Sequence, residues 1–270
     1  MSNHPPFPLA RCPNPIWWAL LLQLGLLAST SAQIRTDSSL GHAAQTLAGP
    51  AYTIPQSIGK IAGNNLFHSF EAFNIGSGQS ANFTTSSPGL ANVISRVTGG
   101  TLSQINGQLK LTPVSGAPNF FFINPAGVTF GAGASVDVPA AFHVSTANSV
   151  KFADGNFSAD LGQTSTFSSA APQAFGFLGT TRAPITVAEG ATLSLPGSQS
   201  ISLVAGDVEL NNGRIASAAG DIRVAALGQK AQDVAFSGTL AAGSGNLSIK
   251  NGGAVSASAS SSDSAGSVKV

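Results

Sequence analysis

Asn119–Phe130 reads NFFFINPAGVTF. Its four consecutive apolar residues, Phe120, Phe121, Phe122 and Ile123, are more than a strand with one buried face can hide. Successive strand side chains point to opposite faces, so the run predicts a strand buried on both sides, as strands of parallel sheets are. Phe120 and Phe122 then share the inner face, while Phe121 and Ile123 face outward beneath a covering strand or loop. Asn124-Pro125-Ala126-Gly127 stops the strand. Asn first, Pro second and Gly fourth suit a type I turn, with the Asn side chain bonding its own backbone. Val128–Phe130 then resumes an extended path. On these residues alone the stretch is a core hairpin or the corner of a solenoid.

Working outward, short apolar stretches alternate with Gly, Pro and Asn breaks. Ala91–Val97, Leu109–Leu111, Ser135–Val138 and Phe142–Ser145 read as further strands. Strand centres roughly 8–14 residues apart mean sandwich, barrel or β-helix. Phe152–Ala174, with Phe157, Phe167, Phe175 and Phe177 in and beside it, reads as an excursion packing on the main stack. Upstream, Leu66, Phe67, Phe70 and Phe73 recur at steps of three and four, which predicts a helical turn or capping segment. A solenoid needs its first coil covered, and residues 34–74 are read as that cap.

The stretch FFFINPAGVTFGAGASVDVPAAFHVST resembles the N-terminal secretion domain of two-partner secretion exoproteins, the family of filamentous haemagglutinin and related bacterial adhesins. Such proteins carry an NPNGI-like block after an apolar strand. Here Asn124, Pro125 and Gly127 match it, Val128 is a mild change and Ala126 replaces the usual Asn. NLFHSFEAFNI and ANVISRVTGGTLSQINGQL also look like the family and stand in the family order. A second motif, NPNL, is not visible; Ser87-Pro88-Gly89-Leu90 stands where it would fall. The resemblance implies an all-β, right-handed parallel β-helix with an N-terminal cap and extra-helical β elements. It also implies a secretion or fold-nucleating motif at Asn124, Pro125, Ala126, Gly127 and Val128. The implied partner is a dedicated outer-membrane transporter with POTRA domains. Adhesion, to host or surface glycans or proteins, is the role such a family suggests downstream.

Residues 1–32 are set apart. The apolar run IWWALLLQLGLLA at 16–28 is short for a membrane span and is followed by Ser29-Thr30-Ser31-Ala32, small residues suited to signal peptidase. Cleavage between Ala32 and Gln33 is the expectation, with a signal anchor as the competing reading. Cleavage removes Arg11 and Cys12, leaving 11 basic against 11 acidic residues and no thiol to form a disulfide. Secretion or display at the cell surface, by way of the periplasm, is then expected. The remaining chain divides into a secretion domain over 33–180 and continuing repeats over 181–270, the start of a passenger.

Those repeats take two forms. Gly-polar-apolar-x-apolar occurs at Gly206–Leu210, Gly220–Val224, Gly245–Ile249 and Gly266–Val270; Gly-x-x-aliphatic or a close variant occurs at Gly190–Leu193, Gly213–Ile215 and Gly253–Val255. Intervals near the ~20 residues of a β-helix coil point inward-facing aliphatics at one another. Glu209, Arg223, Ser248 and Lys269 are expected outside.

Charged residues make up 9% and the formal net charge is +1, which gives no electrostatic footprint for nucleic acid. The acids are scattered, His42, His68 and His143 show no metal-ligand spacing, and no G-x-S-x-G elbow, P-loop or dinucleotide fingerprint is present. His143 is expected to point outward into solvent, and Asp207 and Asp221 to cap backbone in Gly-Asp turns. The expectation is a non-enzymatic protein without metal or cofactor. A polysaccharide-active β-helix enzyme stays open, as does an outer-membrane β-barrel, although one Tyr and no mature Trp supply no aromatic girdles.

Overall fold

Val128–Phe130, Ser135–Asp137 and Phe142–Ser145 follow one another along the chain, yet none pairs with another. Each pairs in parallel with strands before and after it. Val128 is opposite Ser103 and Ile185, Ser135 opposite Gln108 and Thr192, and Phe142 opposite Phe120 and Ile201. Strands taken up in rotation by three parallel ladders define a parallel β-helix. The computed structural model describes residues 1–2, 34–180, 183–237, 244–257 and 267–270. Met1–Ser31 and Ala32–Val270 are separate units, the second carrying the solenoid. The apolar run at 16–28 and the expected cleavage site at Ala32 and Gln33 lie outside the described residues.

Among the described residues the ladders hold nine, seven and five strands, here the broad, middle and narrow sheets. The broad sheet contains Asn65–Phe73, Asn92–Val97, Asn119–Ile123, Phe142–Ser145, Ile201–Ala205 and Ile222–Ala226. Its amino-terminal edge is covered by the antiparallel strand Ile34–Thr36, and Lys60–Ala62 also runs antiparallel on Asn65–Phe73. These strands form the cap. The interior is packed with rings: Phe83 meets Phe120 at 4.8 Å and Phe73 meets Phe122 at 5.0 Å between centroids.

The broad sheet is buried on its other face too. After Phe142–Ser145 the chain leaves the coil and forms the antiparallel strands Ser149–Phe152, Gly155–Ser158 and Ala174–Leu178. After Ile222–Ala226 it leaves again at the same corner and adds Ala231–Ala235 to them. This four-stranded strap packs Val150, Phe157, Phe175 and Val234 against Phe67, Ile94, Phe121 and Ile123. Phe120 and Phe122 belong to the interior cluster and Phe121 and Ile123 to the strap cluster, as the unbroken apolar run requires. Burial of each such side chain stabilises the fold by about 1.5–3 kcal/mol.

Four sequence expectations are corrected. Leu66–Phe73 is strand, not helix: Leu66 and Phe70 point into the solenoid and Phe67 points out under the strap. Two-sided burial removed the alternation that marks a strand. His143 points outward but is buried, because the strap covers it, and it stacks on Phe121 at 4.5 Å. Arg223 is likewise buried, and it donates to the Ala235 carbonyl at 3.1 Å. Successive copies of the first repeat form are not successive coils. Val208 pairs with Leu247 in the narrow sheet and Ile222 with Val268 in the broad one, so alternate copies stack. The second form does stack copy on copy: Leu193, Ile215 and Val255 are in register in the middle sheet. Asp207 and Asp221 do cap backbone, but on the next coil, accepting from Asn246 N at 2.6 Å and Ser267 N at 2.9 Å.

Candidate functional site

Asn124 sits where the broad sheet turns toward the narrow one. Its carbonyl accepts from Gly127 N at 3.0 Å, and its Oδ1 accepts from Ala126 N at 2.9 Å. These are the two bonds expected of an Asn-Pro-x-Gly turn. The side chain also reaches the preceding coil, where Nδ2 donates to Thr101 O and Ser103 Oγ, both at 2.9 Å. The backbone locks the next coil in turn, as Asn124 N donates to Ser145 O at 3.0 Å. Asn124 is 0% exposed. It is therefore a corner post read by three coils of its own chain.

Gly127 has φ of +114°, and a Cβ there would lie 2.8 Å from Leu102 Cδ1. Both the positive φ and the close contact favour glycine. Val128 enters the narrow sheet with its side chain fully buried. Pro125 and Ala126 remain half-exposed. With Thr98, Gly100, Asn148 and Asp160 they line a depression of about 130 Å³. The five motif residues thus separate into a buried Asn124, Gly127 and Val128 that hold the corner and an accessible Pro125 and Ala126.

Two polar systems at the two ends of the broad-sheet strands were not foreseen. Asn65, Asn92 and Asn119 open successive broad-sheet strands and form a ladder. Asn92 Nδ2 donates to Asn65 Oδ1 at 2.8 Å, and Asn119 Nδ2 donates to Asn92 Oδ1 at 3.1 Å, each across 27 residues. Asn followed by two apolar residues at a fixed interval was the available signal. Arg96 is 2% exposed, with its guanidinium carbon 4.2 Å from the centre of the Phe157 ring. It donates to Ser69 Oγ at 2.7 Å, Ser39 Oγ at 2.8 Å, Ser165 Oγ at 2.7 Å and the Ser158 carbonyl. Ser69 and Ser39 pass the interaction to Asp37, whose carboxylate also accepts from Thr98 Oγ1. Burial pulls Arg96 down to about 10, against the pull of the Asp37 charge. Burial pushes the Asp37 carboxyl up, but its hydrogen bonds outweigh this and hold it low.

Two histidines are also buried. His68, enclosed with Phe70 and Phe83, is pushed down to about 3 by burial. His143 is pushed down to about 4 by burial and by the Arg223 charge. Among the described residues no three His, Cys, Asp or Glu side chains gather as metal ligands. A transmembrane barrel needs antiparallel strands, which the parallel ladders here are not.

These features define a parallel β-helix with an antiparallel cap and an outer strap. In fold it is similar to the crystal structure of the HMW1 secretion domain from Haemophilus influenzae, with a TM-score of 0.50 at 20% identity. That match covers 78% of this chain and 58% of the other, so the chain spans less than two thirds of the solved one. No curated protein matches the sequence. The family model of the TPS secretion domain matches residues 32–269, and the chain belongs to that family. It is an N-terminal domain of the two-partner secretion type.

Proposed function

We propose that this domain brings an adhesin to a transporter whose periplasmic POTRA domains receive it, and that it nucleates β-helix folding in the downstream passenger. The observation that carries the reading is the family match across the whole solenoid, 32–269. In the proposed route a signal peptide ending at Ala32 directs the chain across the inner membrane. The domain then meets the transporter, and adhesion to host or surface glycans or proteins belongs to the passenger. Parallel ladders suit this sequence of events. Each coil's strands bond only to neighbouring coils, so order propagates along the chain from an existing edge. No ATP is needed to give that propagation a direction.

The accessible half of the corner is the face offered to the transporter. Asn124, Pro125 and Ala126 all line the depression, and of the three Pro125 and Ala126 are the half-exposed ones, which supports this reading. The experiment is export of Ala126→Lys with the partner transporter, measured beside thermal melting of the same variant. Loss of secretion with unchanged melting is expected. Normal export of a stable Ala126→Lys protein would remove this face from the proposal. Secretion that does not depend on the transporter would remove the function itself.

A further inference from the structure

The first broad-sheet strands have an outer face that their neighbours in sequence cover only in part, Leu40 and Ala62 packing against its apolar cluster and Ser39 accepting from Arg96. Asn65–Phe73 and Asn92–Val97 turn Phe67, Ile94 and Arg96 outward, and all three are buried. The rest of their cover arrives much later in the chain. Phe157 lies 4.9 Å and Phe167 5.5 Å from the Phe67 ring. Asn65, the foot of the asparagine ladder, donates to the carbonyls of Ser168 and Ala170, which lie 103 and 105 residues further on. Arg96 donates to Ser158 O and Ser165 Oγ across 62 and 69 residues. Gly63 approaches the same loop so closely that a Cβ there would sit 2.7 Å from Ser169 Cβ.

A chain ordered only as far as Phe152 therefore faces conflicting requirements. Its inner faces are ready to stack, but on the other side Phe67 has only Phe152, 5.9 Å away, and still lacks the Phe157 and Phe167 rings. The Asn65 amide lacks both carbonyl acceptors, and the Arg96 guanidinium lacks two of its four acceptors. Polar groups half-removed from water without partners oppose closure. The segment 157–170 adds two rings to Phe67 and supplies the missing acceptors of Asn65 and Arg96 at once.

We propose that residues 157–170 are a late clasp: the amino-terminal coils close only when this segment docks on Asn65, Phe67 and Arg96. Until the chain has been delivered to about residue 170, those coils stay open and fit to be threaded, and coil-by-coil propagation starts from the clasped unit. The use of the clasp in export rests on the secretion-domain reading, whereas the order of closure is a property of the chain and is measured without a transporter.

Pulse-labelled hydrogen exchange with mass spectrometry, on the full chain refolding from denaturant, tests it. Amides of Asn65–Phe73 and Asn92–Val97 are expected to gain protection in the same kinetic phase as Gly155–Ser158. Protection of those two strands ahead of Gly155–Ser158 would overturn the clasp. A second measurement uses Ser165→Ala, which removes one acceptor of Arg96. Native-state exchange in Asn65–Phe73 and Asn92–Val97 should rise about fivefold, while Ile201–Ala205, in the same sheet, is unchanged. No rise, or an equal rise in all three strands, counts against the proposal. Loss of secretion in a chain with normal closure order would instead point to the transporter-facing surface.

Discussion

Replacing Asn124 by Ala removes three side-chain hydrogen bonds from a fully buried corner: to Thr101 O, to Ser103 Oγ and from Ala126 N. At about 0.5–1.5 kcal/mol per bond the loss is roughly 2–4 kcal/mol. Against the 5–15 kcal/mol typical of a domain, about that much leaves the protein folded but clearly weakened. For a domain of this size about 2–4 °C is lost per kcal/mol, so melting should fall by roughly 4–16 °C. The assay is thermal and urea unfolding of Asn124→Ala and Asn124→Asp side by side. Asp keeps the acceptor for Ala126 N but sets a negative charge against the Thr101 carbonyl, so it should be the weaker of the two. A melting point for Asn124→Ala within about 1 °C of wild type would refute the corner-post reasoning, because three buried bonds do not vanish without a trace.

Three further outcomes are expected. Phe122→Ala, deleting a ring 1% exposed and packed 5.0 Å from Phe73, should cost about 3–5 kcal/mol in chemical denaturation; a loss under about 1 kcal/mol would contradict its place in the core. His143 has a lowered pKa, so the unfolded chain takes up its proton first: stability is complete above about pH 6.5 and falls as pH drops toward 4. His143→Phe should flatten that acid limb by roughly 2–3 kcal/mol, and an unchanged pH slope would argue against a buried neutral imidazole. Mass spectrometry of the secreted protein should find Gln33 at its amino terminus, and a membrane-bound product retaining Met1 would reject cleavage.

The strands around the corner were legible because Gly, Pro and Asn punctuate them. Asn119–Ile123 even announced its two buried faces, since four apolar residues in a row have no other economical explanation. The same two-sidedness misled at Leu66–Phe73, where outward Phe67 and inward Phe70 imitate a helical step. His143 and Arg223 were misjudged for one reason: alternation gives direction, but whether a strap lies in that direction depends on contacts far apart in sequence. At the candidate site, the turn and its Asx bond could be read locally. The reach of Asn124 Nδ2 to Thr101 and Ser103 could not, because coil stacking sets it. The serine relay from Arg96 to Asp37 was invisible for the same reason.

Both departures from the coil leave from the corner that succeeds a broad-sheet strand, once after Phe142–Ser145 and once after Ile222–Ala226. The strands on either side nevertheless stay in register, Phe142 against Ile201 and Val208 against Leu247. Lengthening such an excursion adds only a logarithmic entropy, about 0.6 kcal/mol per doubling of its length. This corner is thus a place where insertions can accumulate over evolution without disturbing the stack. A foreign peptide grafted after Ile222–Ala226 would be displayed beside the strap, with the load on the ladders unchanged.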